Sequence, residues 1–311
     1  MTWRREHSPE GHARSLRTAV RAALAALVGV GLAAAAQTAR AEAVDHSFVT
    51  SDGVRLHYIE AGHGHARTLV FVPGWTMPAW IFDKQIDALS SEYRVIALDP
   101  RGQGASEIPI GGYDQNRRGQ DIAELIARVS PDPVVLVGWS LGVLDALGYV
   151  ARSGDAHLAG LVLIDNSVGE TPAPVPAPPP AHPRPHRPGN GTCTKTFVAG
   201  MFAHSPGAAY IDRLADDCAR TPAPAARALL HYPVPRSYWR DALYSTQKPV
   251  LYVVRPRWEA QAQTLEHNRP NTETVLFEGA GHALFVDEPD RFNAVLRSFL
   301  AQHVWPQPAA P

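Results

Sequence analysis

Ser140 stands in the pentapeptide Gly138-Trp139-Ser140-Leu141-Gly142, with the apolar run VVLV before it and LGVLDALGYVARSG beginning at Leu141. A serine hydroxyl is a weak nucleophile until a base takes its proton. The G-x-S-x-G spacing provides exposure, because the flanking glycines permit a tight strand-to-helix turn that lifts the hydroxyl above a sheet. A helix starting at Leu141 aims its positive end at negative charge developing on a substrate. Such a pentapeptide also occurs as a plain structural turn; its place between a strand-like and a helix-like run favours the nucleophile. The base is expected late in the chain, and FEGAGHALFVDEPDRFN supplies His282 on a Gly-bounded loop. The pair points to acyl transfer, with serine attacking a carbonyl and histidine moving the proton. The thirteen other histidines lack that position. His63 and His65 share a turn, His182 and His186 share a proline-rich stretch, and neither pair joins a carboxylate or cysteine cluster with metal spacing. No metal and no cofactor is expected.

Positioning these residues requires a framework. TLVFVP (68–73), YRVIALD (93–99), PVVLVG (133–138), GLVLID (160–165), PVLYVV (249–254) and TETVLFEG (272–279) read as short strands, after an opening hairpin over 46–61 turned by Asp52-Gly53. Helical spacing recurs between them, over 79–89, 121–129, 141–154, 259–267 and 289–303. Buried strands alternating with helices predict an α/β chain with a mostly parallel, doubly wound sheet. The alternation stops at TPAPVPAPPPAHPRPHRP (171–188), too proline-rich for helix or central strand, and short helical pieces follow at 196–203, 208–219 and 224–232. An insertion leaving the carboxyl end of a strand is placed to roof the ligand crevice of such a sheet. The expected organisation is a core of residues 42–166 and 248–305, a proline-rich linker and helical cap over 167–247, and a tail over 306–311.

Composition narrows the setting. A formal net charge of −1 gives no reason to expect a nucleic-acid partner. Arg14, Arg17 and Arg21 lead into AALAALVGVGLAAAA and then Ala39-Arg40-Ala41, which reads as a signal peptide over residues 1–41 and a periplasmic or secreted protein. The apolar run is shorter than the roughly 20 residues a membrane span needs, so no stable span is expected after its removal. Cys193 and Cys218 are the only cysteines. In an oxidising compartment a disulfide between them is favoured over two buried thiols.

With GWSLG, DPRGQGAS and GHALFVDEPDRFN on the page, the chain resembles the α/β-hydrolase superfamily of serine esterases and lipases across nearly all of residues 44–305. The resemblance implies an oxyanion hole built from the backbone N–H of Leu141 and one from the loop VPGWTM, at Trp75. The usual His-Gly of that loop is replaced here by Pro73-Gly74. It also implies an acid after the strand PVLYVV, where PVLYVVRPRWEA has Trp258 in place of aspartate and Glu259 one residue late. Asp165, ending GLVLID, occupies the other position from which relatives of this fold supply the acid, and is favoured over Glu259. Dehalogenases and epoxide hydrolases of this fold use an aspartate nucleophile, against which Ser140 argues. The expected activity is serine-dependent hydrolysis of a small ester, lactone or thioester. The alternatives are a cofactor-free perhydrolase and a non-catalytic binding or scaffold protein. Trp75 and Trp139 are expected to narrow the entrance to Ser140. Phe197, Phe202, Tyr210, Tyr238 and Trp239 are expected either to line an acyl pocket or to pack the cap.

Overall fold

The computed structural model describes residues 42–173 and 193–306. The signal peptide read over residues 1–41, most of the proline-rich linker and the end of the tail lie outside the described residues. Eight strands form one sheet: β1 (Val44–Val49), β2 (Arg55–Ala61), β3 (Thr68–Val72), β4 (Arg94–Asp99), β5 (Val134–Trp139), β6 (Leu158–Ile164), β7 (Val250–Val254) and β8 (Thr272–Leu276). Their spatial order is β1-β2-β4-β3-β5-β6-β7-β8. The β1–β2 and β2–β4 pairs are antiparallel and the rest are parallel. This is the mostly parallel, doubly wound sheet expected from the alternating pattern, and it agrees with the α/β-hydrolase fold that the resemblance implies.

Burial follows from that order. β3, β5 and β7 are buried at every residue, as central strands covered on both faces must be. The edge strand β1 is mostly exposed. Alternation divides β3 between two cores: Val70 and Val72 enter one, Leu69 and Phe71 the other. Fully burying a side chain such as Phe71 contributes about 2 kcal/mol.

Helices α1 (Asp83–Leu89) and α10 (Pro289–Phe299) cover the Phe71 face, with the short α9 (Leu284–Asp287) leading into α10. The opposite face carries α2 (Gln115–Val129), α3 (Leu141–Ser153) and α8 (Glu259–Asn268). Helix α2 begins six residues before the apolar periodicity predicts, because the Asp114 side chain accepts from the backbone N–H of Asn116 and Arg117 and caps it. α2 and α3 meet at glycine: a Cβ on Gly119 would lie 2.8 Å from the backbone of Gly148 and Tyr149. The run over 79–89 splits into a 3-10 turn at Ala79–Phe82 followed by α1.

The insertion between β6 and β7 contributes α4 (Lys195–Ala199), α5 (Ala208–Ala219), α6 (Ala223–Leu229) and α7 (Ser237–Ser245). Helix α7 shares the core with α3 through Trp239 and Leu243. Cys193, just before α4, and Cys218 in α5 form a disulfide with Cα atoms 5.7 Å apart. The Thr76 hydroxyl lies 3.3 Å from Cys193 Sγ and 2.9 Å from Cys218 Sγ, so the bridge sits directly against the loop after β3. The linkage spans 25 residues. Replacing both cysteines by serine is expected to cost about 3 kcal/mol of stability by loop entropy. A denaturant midpoint unchanged from the oxidised protein would refute that figure.

Candidate active site

Three strand ends converge on one point. β5 ends at Trp139, and Ser140 follows with φ 54° and ψ −116° before α3 starts. Only small residues fit around that turn: a Cβ on Gly142 would collide with the Val72 carbonyl, and one on Gly138 with the backbone of Gly142. The Ser140 N–H is tied to the carbonyl of Ile164, at 2.9 Å. Asp165 directly follows β6 and has φ 50°, and Thr76, in the loop after β3, has φ 61°. Among the described residues these three are the only non-glycine positions with positive φ. Backbone strain of this kind costs about 1–3 kcal/mol each and clusters at functional sites.

The side chains form a continuous hydrogen-bonded row. His282 Nε2 lies 2.9 Å from Ser140 Oγ, and His282 Nδ1 lies 2.6 Å from Asp165 Oδ2. A carboxylate facing Nδ1 keeps the proton on that nitrogen and leaves the Nε2 lone pair toward serine. Asp165 is 1% exposed, so its charge needs a partner in the protein. Arg255, the residue after β7, supplies it: its Nε donates to Asp165 Oδ2 at 2.6 Å and its backbone N–H to Oδ1 at 3.1 Å. The guanidinium Nη2 also comes within 3.5 Å of His282 Nδ1. Glu259 lies elsewhere. It opens α8 exposed to solvent, accepts from Gln263 Nε2 at 3.2 Å, and borders a separate hollow with Val254 and Leu276.

The loop after β3 abuts Ser140, since a Cβ on Gly74 would lie 3.0 Å from the Ser140 Cβ. Its bracing comes from Gln103. That side chain accepts from the Thr76 N–H at 2.7 Å and donates to the carbonyls of Gly74 and Met77, each at 3.2 Å. The hydrogen bonding expected from the usual histidine of the loop is thus replaced from the PRGQG turn, which the sequence presents only as a turn. The Trp75 indole donates to the Ala226 carbonyl at 2.7 Å and meets Phe197 edge-on at 5.7 Å. Leu141 occupies the first position of α3, where a backbone N–H has no partner within the helix.

Further side chains hold the row in place. Asn166 Nδ2 donates to the Ser140 carbonyl at 2.7 Å, and Tyr252 Oη donates to the Asn166 carbonyl at 2.7 Å. Burial pushes the Tyr252 phenol well above its ordinary range, which keeps the donor protonated. Asp287 accepts from the N–H of Gly281 at 2.7 Å and from Ala203 at 2.9 Å, joining the His282 loop to the insertion. The expectation that Trp139 narrows the entrance is corrected. Trp139 is 1% exposed, and its indole donates to the His282 carbonyl at 2.9 Å, so it supports the histidine loop from below.

The row opens on a cavity of about 620 Å³ whose lining includes Ser140, His282, Arg255, Arg257, Trp258 and Phe197. Its size suits a small molecule. Of the five insertion aromatics, only Phe197 borders it. Phe202 and Tyr210 pack on one another at 6.0 Å, and Tyr238 packs on Trp239 at 4.8 Å. Among the described residues, no cluster of three or more His, Cys, Asp or Glu side chains is arranged to hold a metal, and no helix is long and apolar enough to cross a membrane.

The sequence model of the alpha/beta hydrolase family matches residues 69–295, which includes all three strand ends. The chain belongs to that family. Within it, the chain is 32% identical over 120 residues to the AB hydrolase superfamily protein YisY of Bacillus subtilis, a match covering 38% of this chain and 44% of that protein. It is 39% identical over 119 residues to a non-heme haloperoxidase of Rhodococcus erythropolis, covering 38% and 43% respectively. The chain therefore spans less than half the length of these two relatives. Among solved structures, a putative aryl esterase of Burkholderia cenocepacia superimposes with a TM-score of 0.70 at 26% identity, over 83% of this chain and 98% of that one.

Proposed function

We propose that this protein is a serine esterase that cleaves a small carboxylic ester through an acyl-enzyme. The observation that carries the reading is the row Ser140–His282–Asp165 at 2.9 and 2.6 Å, opening into the cavity. Ser140 Oγ attacks the ester carbonyl while His282 Nε2 takes its proton, and the same proton then goes to the departing alkoxide. Asp165 holds the imidazole tautomer and stabilises the imidazolium. The N–H groups of Leu141 and Trp75 receive the oxyanion, a role in which losing one donor typically costs about 10²–10³ in rate. Water, activated by the same histidine, releases the acid. A fit to a putative aryl esterase over 83% of the chain supports an ester substrate.

A perhydrolase reading draws on the haloperoxidase relatives and uses the same row, with hydrogen peroxide replacing water in the second step. We also propose export to the periplasm or beyond, supported by the sequence pattern of residues 1–41 and by the disulfide. The test of the esterase is titration with a fluorophosphonate while following hydrolysis of a short-chain 4-nitrophenyl ester. Hydrolysis is expected to fall in proportion to label on Ser140, located by peptide mass spectrometry. Hydrolysis surviving full labelling, or label at another residue, counts against Ser140 as nucleophile. Ligand binding without labelling or turnover would favour the scaffold.

A further inference from the structure

The charges around the cavity do not cancel. Asp165 is buried and held by Arg255 through two hydrogen bonds, so those two opposite charges neutralise one another within the site. Arg257 also borders the cavity, carried on the 3-10 turn Pro256–Trp258 directly after β7. Its guanidinium lies 5.1 Å from the centroid of the neighbouring Trp258 ring, and no carboxylate of the described residues forms an ion pair with it. Glu259, two residues on, accepts a hydrogen bond from its own helix instead. A permanent cation therefore lines the cavity with no ion-pair partner among the described residues.

The rest of the lining differs in kind. Phe197 and Met201 from the insertion border the same space, together with Thr196. Phe197 is 38% exposed, one of the few large apolar side chains left uncovered in the described protein. A cavity whose lining joins apolar side chains, a reactive hydroxyl and a guanidinium with no ion pair among the described residues matches a molecule that is partly apolar and carries an anionic group. Arginine is suited to that group, because its planar fork meets a carboxylate with two parallel hydrogen bonds.

On the serine esterase reading above, we propose that the substrate is an ester carrying a carboxylate remote from the scissile bond, and that Arg257 is the residue that selects it. Arg257 then acts in binding and touches none of the reacting atoms of Ser140 or His282. The carboxylate sits on either the acyl or the alcohol side, since both share one recognition chemistry. Its attraction is electrostatic and partly exposed, so it weakens as salt rises.

The experiment compares neutral and anionic esters of matched shape. On the acyl side the pair is 4-nitrophenyl valerate and the mono-4-nitrophenyl ester of glutaric acid. On the alcohol side it is 4-tolyl acetate and 4-acetoxybenzoate. In at least one pair, wild type is expected to favour the anion by about tenfold or more in kcat/KM, roughly the discrimination one charge-assisted contact supplies. Arg257→Gln is expected to remove that preference by raising KM for the anion at least about tenfold more than for the neutral ester. Raising salt from 0.05 to about 0.5 M is expected to erode the preference in wild type only. Equal handling of neutral and anionic esters in both pairs overturns the proposal, as does a preference that survives Arg257→Gln. Turnover of the neutral esters with no anion preference leaves the esterase intact and removes only the carboxylate. No turnover of any of the four, with no fluorophosphonate label on Ser140, removes both.

Discussion

Asp165→Asn is expected to lower kcat/KM for a short-chain 4-nitrophenyl ester by about 10⁴, the loss seen when a triad acid is neutralised without a change of shape. Arg255 donates to this side chain through Nε and the backbone N–H, at 2.6 and 3.1 Å. An asparagine has only one acceptor oxygen for these donors: placed on the Oδ2 side, it leaves its NH2 against the Arg255 backbone N–H. Turned the other way, its NH2 faces His282 Nδ1 and demands a lone pair there. The imidazole proton then moves to Nε2, the nitrogen that lies 2.9 Å from Ser140 Oγ, and serine loses its acceptor. Glu259→Gln is expected to match wild type, because Glu259 hydrogen-bonds Gln263 and borders a different hollow. Both variants need the thermal midpoint of wild type to be compared fairly. Asp165→Asn retaining more than a tenth of the rate, or a collapse in Glu259→Gln, would return the acid to the segment after β7.

The parts of this site that are legible in the sequence are those whose signal is local. Ser140 is marked by glycines two residues away on each side, because the steric demand of the turn falls on its immediate neighbours. His282 is marked by its Gly-bounded loop after the last strand. The strands themselves are short apolar runs, and seven of the eight strand ranges fall within two or three residues of their expected places, because burial on both faces leaves little room for polar residues. What the sequence conceals depends on contacts across the chain. Arg255 meets Asp165 only because β6 and β7 are neighbours in the sheet, so nothing near RPRWEA announces an ion pair 90 residues back. Gln103 braces the loop after β3 from 27 residues away, inside a turn whose glycines draw the eye. Trp139 is adjacent to Ser140 in sequence yet points beneath it, since successive residues at a strand end face opposite sides. Helix α7 carries Tyr238, Trp239 and Tyr244, and only its contact with α3 explains its place.

Arg255→Ala is expected to destabilise the protein by about 3 kcal/mol, the cost of leaving a buried carboxylate without its cation. Arg255 itself is 28% exposed on its side chain, whereas that of Asp165 is 0% exposed, so the penalty arises almost wholly at the carboxylate. That asymmetry gives a sharper result in the double variant. With Asp165→Asn in place there is no buried charge to strand, and adding Arg255→Ala is expected to cost less than about 1 kcal/mol, in the range of an exposed polar contact. The double-mutant cycle should therefore return a coupling of about 2 kcal/mol. Arginine that served only to pack against the imidazole would cost the same in both backgrounds and give a coupling near zero. Urea midpoints at fixed pH measure all four proteins without any substrate, so the result stands apart from the rate effect of Asp165→Asn. A coupling of this size means that the acid after β6 and the cation after β7 are held as one unit. The segment after β7, where the resemblance leads one to expect a carboxylate, instead supplies the cation that pairs with Asp165.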